Sequence, residues 1–263
     1  MRHALTTAGG AALAAALAAG GARAQHCHEQ APLERRGLGL RTALGAEYAT
    51  FRTGRYEGDY WGLNATLQWD HPFVRLRATM PAYAIVRNGL EGRGAGDLLL
   101  EARAPLVRAE GGELSGGPVL AATLPTGDAD LDLGMGHPML MPGLWFTWAP
   151  EGGFVSAQMS YGRALGGAGG HHHDGPRPIV NPMNESELEA AASGGYLLHE
   201  LLRARAGAYG ALPTGGEGAA SRAAAFVGAD LLAGAFDLSL EGHLPLAGDP
   251  FLAKAVVALG ARF

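Results

Sequence analysis

The sequence predicts an all-β chain, a transmembrane antiparallel β-barrel of about 12 strands that follows a cleaved signal peptide. Three observations support this fold class: an apolar N-terminal leader, repeated segments in which apolar and polar residues alternate, and connections that are short and long in turn. Alternation places every second side chain on the same face of a strand. Such a strand can therefore turn an apolar face to lipid and a polar face to an enclosed lumen.

The N-terminus has the organisation of a secretory leader. Arg2 supplies a positive charge, a run rich in Ala and Leu follows, and Ala22-Arg23-Ala24 has the small-x-small pattern of a cleavage site. We therefore expect residues 1–24 to be a signal peptide, residues 25–37 a periplasmic N-terminal tail, and residues 38–263 the outer-membrane barrel. No later apolar run is long enough for a membrane-spanning helix.

The composition excludes two classes of interaction. The chain has 1 cysteine, so it cannot form an internal disulfide. It has 20 Lys and Arg residues against 25 Asp and Glu, and both Arg2 and Arg23 lie in the predicted leader. The exported chain is therefore acidic and has no basic patch for phosphates, so nucleic acid is not expected as a partner.

The predicted strands follow a period of two residues. The clearest is "FDLSLEGHLPL", residues 236–246, in which Phe and Leu occupy one face and Asp, Ser, Glu and His the other. Twelve such segments are predicted, an even number as in bacterial single-chain barrels. They are residues 38–52, 58–70, 73–87, 97–108, 116–125, 138–149, 153–164, 187–198, 203–213, 222–232, 235–246 and 254–263.

The polar faces of these segments predict a charged lumen. They carry Arg, Asp and Glu and hardly any lysine, whereas the exposed face of a soluble sandwich usually carries lysine. Opposite charges can pair and hydrogen-bond inside a narrow lumen. The residues predicted to line the lumen are Arg75, Arg77, Glu101, Arg103, Arg203, Arg205, Asp237 and Glu241.

The connections predict which end of the barrel faces the periplasm, because periplasmic turns are short and outer loops are long. The predicted turns are residues 70–72, 108–115, 150–152, 199–202 and 233–234. The predicted loops are residues 88–96, 126–137, 165–186, 214–221 and 247–253.

Two segments fit the barrel less simply. Residues 186–203 have the capping-box spacing of Ser186 and Glu189, which makes a helix the alternative, although Gly194-Gly195 favours a strand. Pro142 lies inside the sixth predicted strand, where it removes a ladder hydrogen bond and predicts a local bulge.

Three clusters contain residues that could bind a metal ion. The stretch "GMGHPMLMPG", residues 134–143, would place His137, Met139 and Met141 on one lumenal face. The other two clusters are His26-Cys27-His28, in the N-terminal tail, and His171, His172 and His173, in the longest predicted loop. Thioether, thiolate and imidazole ligands suit copper or zinc. The alternatives are a solvated tail, a solvated loop and methionines that fill gaps in a packed interior, so the sequence requires no cofactor.

An enzyme is not expected. Ser239, Glu241 and His243 could be compared with a catalytic triad, but all three lie on the predicted lumenal face and not at the membrane surface. Walker, Cys-x-x-Cys and His-Glu-x-x-His motifs do not occur in the sequence.

Three short motifs carry a family resemblance. They are Gly96-Asp97-Leu98 with Ala102-Arg103, then Leu124-Pro125-Thr126-Gly127-Asp128, and finally Pro142-Gly143-Leu144. With them, the chain resembles the outer-membrane transporter family of the meta-pathway of phenol degradation. This resemblance implies a porin-like barrel in the bacterial outer membrane with a role in uptake, and it leaves the histidine clusters outside the shared pattern.

The function expected from the sequence is a channel or transporter through which small solutes diffuse passively. Outer-membrane lipid would surround the barrel, and a final strand ending at Phe263 looks like the signal that the barrel-assembly machinery recognises. Two alternatives stay open at this point: an outer-membrane barrel that handles copper or zinc, and a structural barrel with a plugged lumen.

Overall fold

The computed structural model describes residues 38–53, 56–109, 113–166, 180, 183–215 and 220–263. The predicted signal peptide and N-terminal tail lie outside the described residues. The same holds for two of the three predicted metal clusters, which contain His26, Cys27, His28, His171, His172 and His173.

The described residues form 14 strands in one antiparallel sheet that closes on itself. Closure is made by β2, which pairs with both β1 and β3, while β1 also pairs with the last strand. The strands are β1 Gly39–Arg52, β2 Glu57–His71, β3 Val74–Arg87, β4 Leu90–Ala95, β5 Leu98–Arg103, β6 Val107–Arg108, β7 Leu114–Leu124, β8 Met139–Trp148, β9 Gly153–Ala164, β10 Ser186–His199, β11 Leu202–Gly215, β12 Arg222–Ala233, β13 Phe236–Ala247 and β14 Phe251–Arg262.

The barrel wall has twelve strands, because β4, β5 and β6 are successive pieces of its fourth strand. This confirms the predicted fold class. A helix long and apolar enough to cross a membrane does not occur in the part of the chain that the structure describes.

Successive residues of each strand face opposite sides of the wall. On β2, Leu63 is 66% exposed, whereas the next residue, Asn64, is 3% exposed. Apolar residues therefore cover the outside of the wall, where only lipid can meet them without a free-energy cost. An exposed aromatic belt surrounds one end of the barrel and comprises Trp69, Phe73, Trp148, Tyr196, Phe236 and Phe263.

That end, here called the turn end, carries the short connections, the first residue of β1 and the last residue of β14. Its connections include Pro72-Phe73 and Ala149–Gly152, and β1 begins there beside the end of β14. The opposite end, here called the loop end, carries the long connections at residues 125–138 and 165–185. Short turns mark the periplasmic side of a bacterial barrel, so the turn end is the periplasmic end.

The predicted loop at residues 88–96 is wrong in its extent. Asn88 and Gly89 both have positive φ, 47° and 80°, and form a tight turn after which β4 continues the sheet. Asn-Gly is the pair that a two-residue hairpin of this type prefers, because both central residues need positive φ. β3 and β4 therefore form a hairpin that extends the wall at the loop end.

The structure also shows the conformation of residues 186–199 and of the strand that contains Pro142. Residues 186–199 form strand β10, paired with β9 and β11, and not a helix. The predicted bulge at Pro142 is wrong: the register of β8 against β9 is the same on both sides of the proline, although pairing is interrupted at Met141 and Pro142. The sheet loses ladder bonds there without inserting a residue.

The bulge in this part of the wall lies instead between β4 and β5. Gly96, Asp97 and Leu98 stand opposite only two residues of β3, because Ala82 pairs with Ala95 but Thr79 pairs with Leu99. The extra residue changes which side chains face inward, and it turns Asp97 into the interior, where it is 4% exposed.

Asp97 holds the long loop of residues 125–138 inside the barrel. Its two carboxylate oxygens accept hydrogen bonds from the backbone N–H groups of Gly127, at 3.0 Å, and Met135, at 2.7 Å. Leu133, in the same loop, is buried against Gly94 of β4. The loop therefore occupies part of the interior at the loop end.

Candidate functional site

The barrel interior is the candidate site, because it collects most of the buried charge. All eight residues predicted to line the lumen lie on inward-facing positions of their strands. Arg75 is the most exposed of them and lies at the turn end. The other seven are buried or nearly buried, and they fall into separate networks along the wall.

The largest network joins β11, β12 and β13. Asp230 accepts hydrogen bonds from Arg203, at 2.7 Å and 2.8 Å, and from the hydroxyl of Ser239, at 2.7 Å. Arg205 lies 3.0 Å from Asp230 and also pairs with Glu241. Each guanidinium thus finds an acceptor on a neighbouring strand, which compensates for its burial.

A second network lies on the β3 and β5 side. Glu101 pairs with Arg77, at 3.1 Å, and with Arg103, at 2.9 Å. Arg103 also donates to Gln158 of β9, at 2.8 Å, and its guanidinium lies 5.8 Å from the centre of the Trp145 ring. This arginine therefore reaches past β7 and β8 along the inner wall.

The turn end carries a third group of ion pairs. Asp237 accepts from Arg41 of β1, at 2.9 Å, and from Arg262 of β14, at 3.0 Å. Arg75 pairs with Asp70 of β2 at 2.5 Å, and both of these side chains are about one third exposed. One side of the periplasmic mouth, from β13 to β3, is therefore lined by charges that are paired between strands.

A further group of charged residues, Glu187, Arg222 and Asp249, lies at the loop end of the interior. Glu187 of β10 accepts from Arg222 of β12, at 2.9 Å, and from the side chain of Asn184. Asp249, in the connection between β13 and β14, faces the same group. Burial raises the pKa of this carboxyl, and the positive charges of Arg222 and Lys254 partly oppose that rise in the pKa.

An apolar cluster fills the interior between these charges at the loop end. It brings side chains from several strands together with residues of two connections, and the aromatic rings provide most of its volume. Its buried members are Ala49, Phe51, Tyr60, Tyr83, Ile85, Leu133, Val180, Tyr209, Ala224, Phe226 and Phe251. The loop end of the interior therefore combines this apolar cluster with buried charges, an arrangement that the alternation of residues along the strands did not predict.

The stretch "GMGHPMLMPG" divides between loop and strand as predicted, with β8 beginning at Met139. Met139 and Met141 face inward and are buried, at 0% and 2% exposure. They belong to a second apolar cluster, here called the methionine cluster, whose members are Leu99, Ala121, Met135, Met139, Met141 and Met183.

His137 lies at the edge of this region, where one ring nitrogen is 2.9 Å from the carbonyl oxygen of Met135. Among the described residues, no three His, Cys, Asp or Glu side chains are grouped so that they could hold a metal ion. The geometry of the methionine cluster is that of packed side chains.

Ser239, Glu241 and His243 do not have the geometry of a catalytic triad. The Ser239 hydroxyl donates to Asp230, while His243 bonds to Glu241, at 2.8 Å, and to the Tyr209 hydroxyl, at 3.3 Å. The serine and the histidine therefore belong to separate hydrogen bonds, and His243 has no contact that would activate the hydroxyl.

Several interior residues were not among the predicted lumen residues. Arg41, Glu47 and Asn64 lie on β1 and β2, and Asp97, Glu187 and Arg222 lie at or beside strand ends. The phase of the alternation could have identified Asn64, because it shares a face with Thr66 and Gln68. Asp97 could have been placed in the same way, because it shares the odd-numbered face of the predicted segment 97–108 with Glu101 and Arg103.

Comparisons with known proteins identify the fold of the chain but no family to which it belongs. No family model matches the sequence, and no curated protein is similar to it. Among solved structures, the chain is similar to the COG4313 outer membrane channel from Pseudomonas putida F1, with a TM-score of 0.68, 13% identity, and coverage of 89% of this chain and 99% of that one.

Two other solved structures share the architecture. The translocator domain of the autotransporter NalP from Neisseria meningitidis has a TM-score of 0.55 at 17% identity, covering 99% of both chains. The NanC porin has a TM-score of 0.53 at 9% identity, covering 86% of this chain and 99% of that one. With the apolar outer wall, the aromatic belt and the closed sheet, these similarities identify the chain as a β-barrel of the bacterial outer membrane.

Proposed function

We propose that the barrel is a passive channel for small solutes across the outer membrane. The observation that carries the proposal is the charged inner wall of the periplasmic half, where three groups of paired arginines and carboxylates line a closed twelve-stranded barrel. A purely structural barrel has no need of buried ion pairs, because apolar side chains of similar volume would stabilise it at least as well.

The arrangement of the pairs suits passage without tight binding. Each of these guanidinium groups is already paired with a carboxylate, and Glu101 and Asp237 are each shared by two arginines, so a passing ion meets a polar wall whose charges are engaged with one another. Solutes would exchange water for fixed hydrogen-bonding groups and then leave again, as conduction requires. Size selection would come from the apolar cluster and the inward loop of residues 125–138.

The experiment that tests this function is a swelling assay on liposomes that contain the refolded barrel. Small neutral and zwitterionic solutes should swell the liposomes at rates that fall as solute size rises, because diffusion through a narrow lumen depends on size. Swelling no faster than in protein-free liposomes for every solute would contradict a channel.

The packed loop end supports a second candidate, a barrel whose lumen stays plugged. The apolar cluster includes Leu133 and Val180, which lie in connections and not in strands. Under this alternative, the swelling rate would remain at the protein-free level even when the loop of residues 125–138 is released by substitution of Asp97.

Two finer proposals concern the solute and the assembly of the barrel. The resemblance to the phenol-pathway transporter family supports aromatic compounds as solutes, and it rests on the short motifs given above. The outward residues Val257, Leu259 and Phe263 of the last strand support recognition by the barrel-assembly machinery. Each is a proposal about a partner, separate from the channel itself.

A further inference from the structure

Glu47 and Asn64 form a pair of buried polar side chains at mid-height in the barrel. Glu47 is on β1 and Asn64 on β2, and both face inward with exposures of 2% and 3%. In the sheet, Glu47 pairs with Gly62 and Asn64 pairs with Gly45, which makes the two side chains diagonal neighbours. Diagonal neighbours on one face of a sheet are close enough for one small molecule to contact both.

Neither side chain has a hydrogen-bond partner in the part of the chain that the structure describes. Among the described residues, no group bonds to either carboxylate oxygen of Glu47, or to the oxygen or nitrogen of the Asn64 carboxamide. The contrast with Asp230, Glu101 and Asp237 is clear, because each of those accepts from at least one arginine. Buried polar groups are normally satisfied, so a pair with four unused atoms marks a position where something else binds.

One positive charge, Lys254, lies near Glu47 on the neighbouring strand. Lys254 of β14 acts on Glu47 through its charge, and in the sheet it pairs with Ala49, two residues toward the loop end from Glu47. Its ammonium nitrogen lies 5.4 Å from the centre of the Phe251 ring, still closer to the loop end. Lys254 therefore does not neutralise Glu47 by direct contact.

Two tyrosine rings flank the pair. The position that a Cβ at Gly62 would occupy is 2.8 Å from the Glu47 carboxylate and 2.8 Å from the edge of the Tyr83 ring. The other edge of this ring lies 2.5 Å from the corresponding position at Gly96, so two glycines fix its orientation. Tyr60 packs edge-on against Tyr83, with ring centres 5.9 Å apart.

We propose that Glu47, Asn64, Tyr60 and Tyr83 form a binding niche for a small organic ammonium ion with an apolar body. The N–H groups of the ammonium donate to the Glu47 carboxylate and to the Asn64 carbonyl oxygen, in charge-assisted hydrogen bonds. The tyrosine rings contact the apolar body of the solute. This inference rests on the proposed function and names a class of solute for it.

Other classes of solute fit the niche less well. An anion would meet an unpaired carboxylate, and a divalent metal ion would need more oxygen ligands than Glu47 and Asn64 supply. A neutral aromatic solute would match the tyrosines but would leave the carboxylate without a partner. The combination of one carboxylate, one carboxamide and two rings matches an amine.

The test is a binding titration of the detergent-purified barrel with benzylammonium as the probe and benzyl alcohol as its neutral counterpart. Wild type should bind benzylammonium, and Glu47→Gln should raise the Kd by about tenfold or more, because it removes the charge while keeping the shape. Asn64→Leu should raise the Kd by a smaller factor. Glu189→Gln, which changes another buried interior glutamate on the opposite side of the wall, on β10, should leave the Kd as in wild type.

Equal Kd values in wild type and Glu47→Gln would overturn the proposal, and so would equal affinity for benzylammonium and benzyl alcohol. The band shift on heating in gel electrophoresis shows that each variant is folded. Because the titration needs no conduction, it is independent of the channel: binding without solute flux would contradict the proposed function alone, and flux without a Glu47-dependent Kd would contradict the niche alone.

Discussion

Asp230 is the residue on which the largest interior network depends. It is completely buried, accepts hydrogen bonds from Arg203 and Ser239, and forms an ion pair with Arg205. An interior ion pair contributes little net stability by itself, but loss of one partner leaves a buried charge without compensation. Such residues therefore affect stability more when they are removed than their pairing energy suggests.

Replacement of Asp230 by alanine should lower the free energy of unfolding by about 3–5 kcal/mol, because Arg203 and Arg205 lose their shared acceptor. Urea unfolding in detergent, followed by tryptophan fluorescence, measures the loss. Asp70→Ala is the control: it breaks the half-exposed pair with Arg75 and should cost less than about 1 kcal/mol. Equal unfolding curves for the two variants would contradict the role of the network.

Substitution of Met139 and Met141 by leucine tests the function of the methionine cluster. We expect each change to cost less than about 1.5 kcal/mol, because leucine conserves the volume of a packed methionine. Titration with Ag(I), an ion that binds thioethers, should give the same number of binding sites in wild type and in the double variant. A stoichiometric site present in wild type and absent from the double variant would instead favour the metal-handling alternative.

The loop of residues 125–138 is the element that most directly limits the lumen. Asp97 holds both of its ends through backbone N–H groups, and Arg87 pairs with Asp132 and donates to the carbonyl oxygen of Asp130, at 3.3 Å. A few hydrogen bonds to charged groups thus fix a connection that would otherwise gain entropy by leaving the barrel.

Asp97→Ala should release this loop. We expect the variant to be cleaved within residues 127–137 at least about tenfold faster than wild type in limited proteolysis, because two hydrogen bonds to a carboxylate are lost. The matched control is Glu91→Ala on the exposed part of β4, which removes a surface pair with Arg93. Cleavage at the same rate in both variants would show that Asp97 does not hold the loop.

Sequence periodicity predicted the elements well where the two faces of a strand differ. β2, β3 and β13 carry clear contrasts between apolar and polar residues, and their inward faces follow from them. β1 does not, because small residues occur on both of its faces, so Arg41 and Glu47 were not identified. The inward loop could not be predicted, because the position of a loop depends on contacts such as those of Asp97 and not on a period.

At the scale of the whole molecule, closure of the sheet satisfies the backbone in lipid. Every wall strand pairs on two sides, and β2 completes the circle by pairing with β1 and β3. In a bilayer, an open edge would leave N–H and C=O groups unsatisfied, so only a closed barrel is stable there. The even number of strands, predicted from the sequence, lets β1 and β14 pair antiparallel like the other neighbouring strands, and the apolar outer face, also predicted, suits contact with lipid.

Removal of Phe263 tests assembly of the whole barrel. This residue ends the chain with an exposed ring at the turn end. We expect its deletion to lower the heat-modifiable, folded fraction in the outer membrane while unfolded chains accumulate. Phe236→Ala, which removes another exposed aromatic ring at the same end, should assemble as well as wild type. Equal folded fractions in the two variants would argue against a terminal recognition signal.

The central claim is that the charged interior conducts. Single-channel recording in planar lipid bilayers tests it most directly, with the purified barrel added to one side. A conducting barrel should give discrete current steps that scale with voltage and salt, and larger or longer openings for Asp97→Ala, in which the loop is released. A heat-modifiable, correctly folded barrel that stays electrically silent in both forms would contradict the claim.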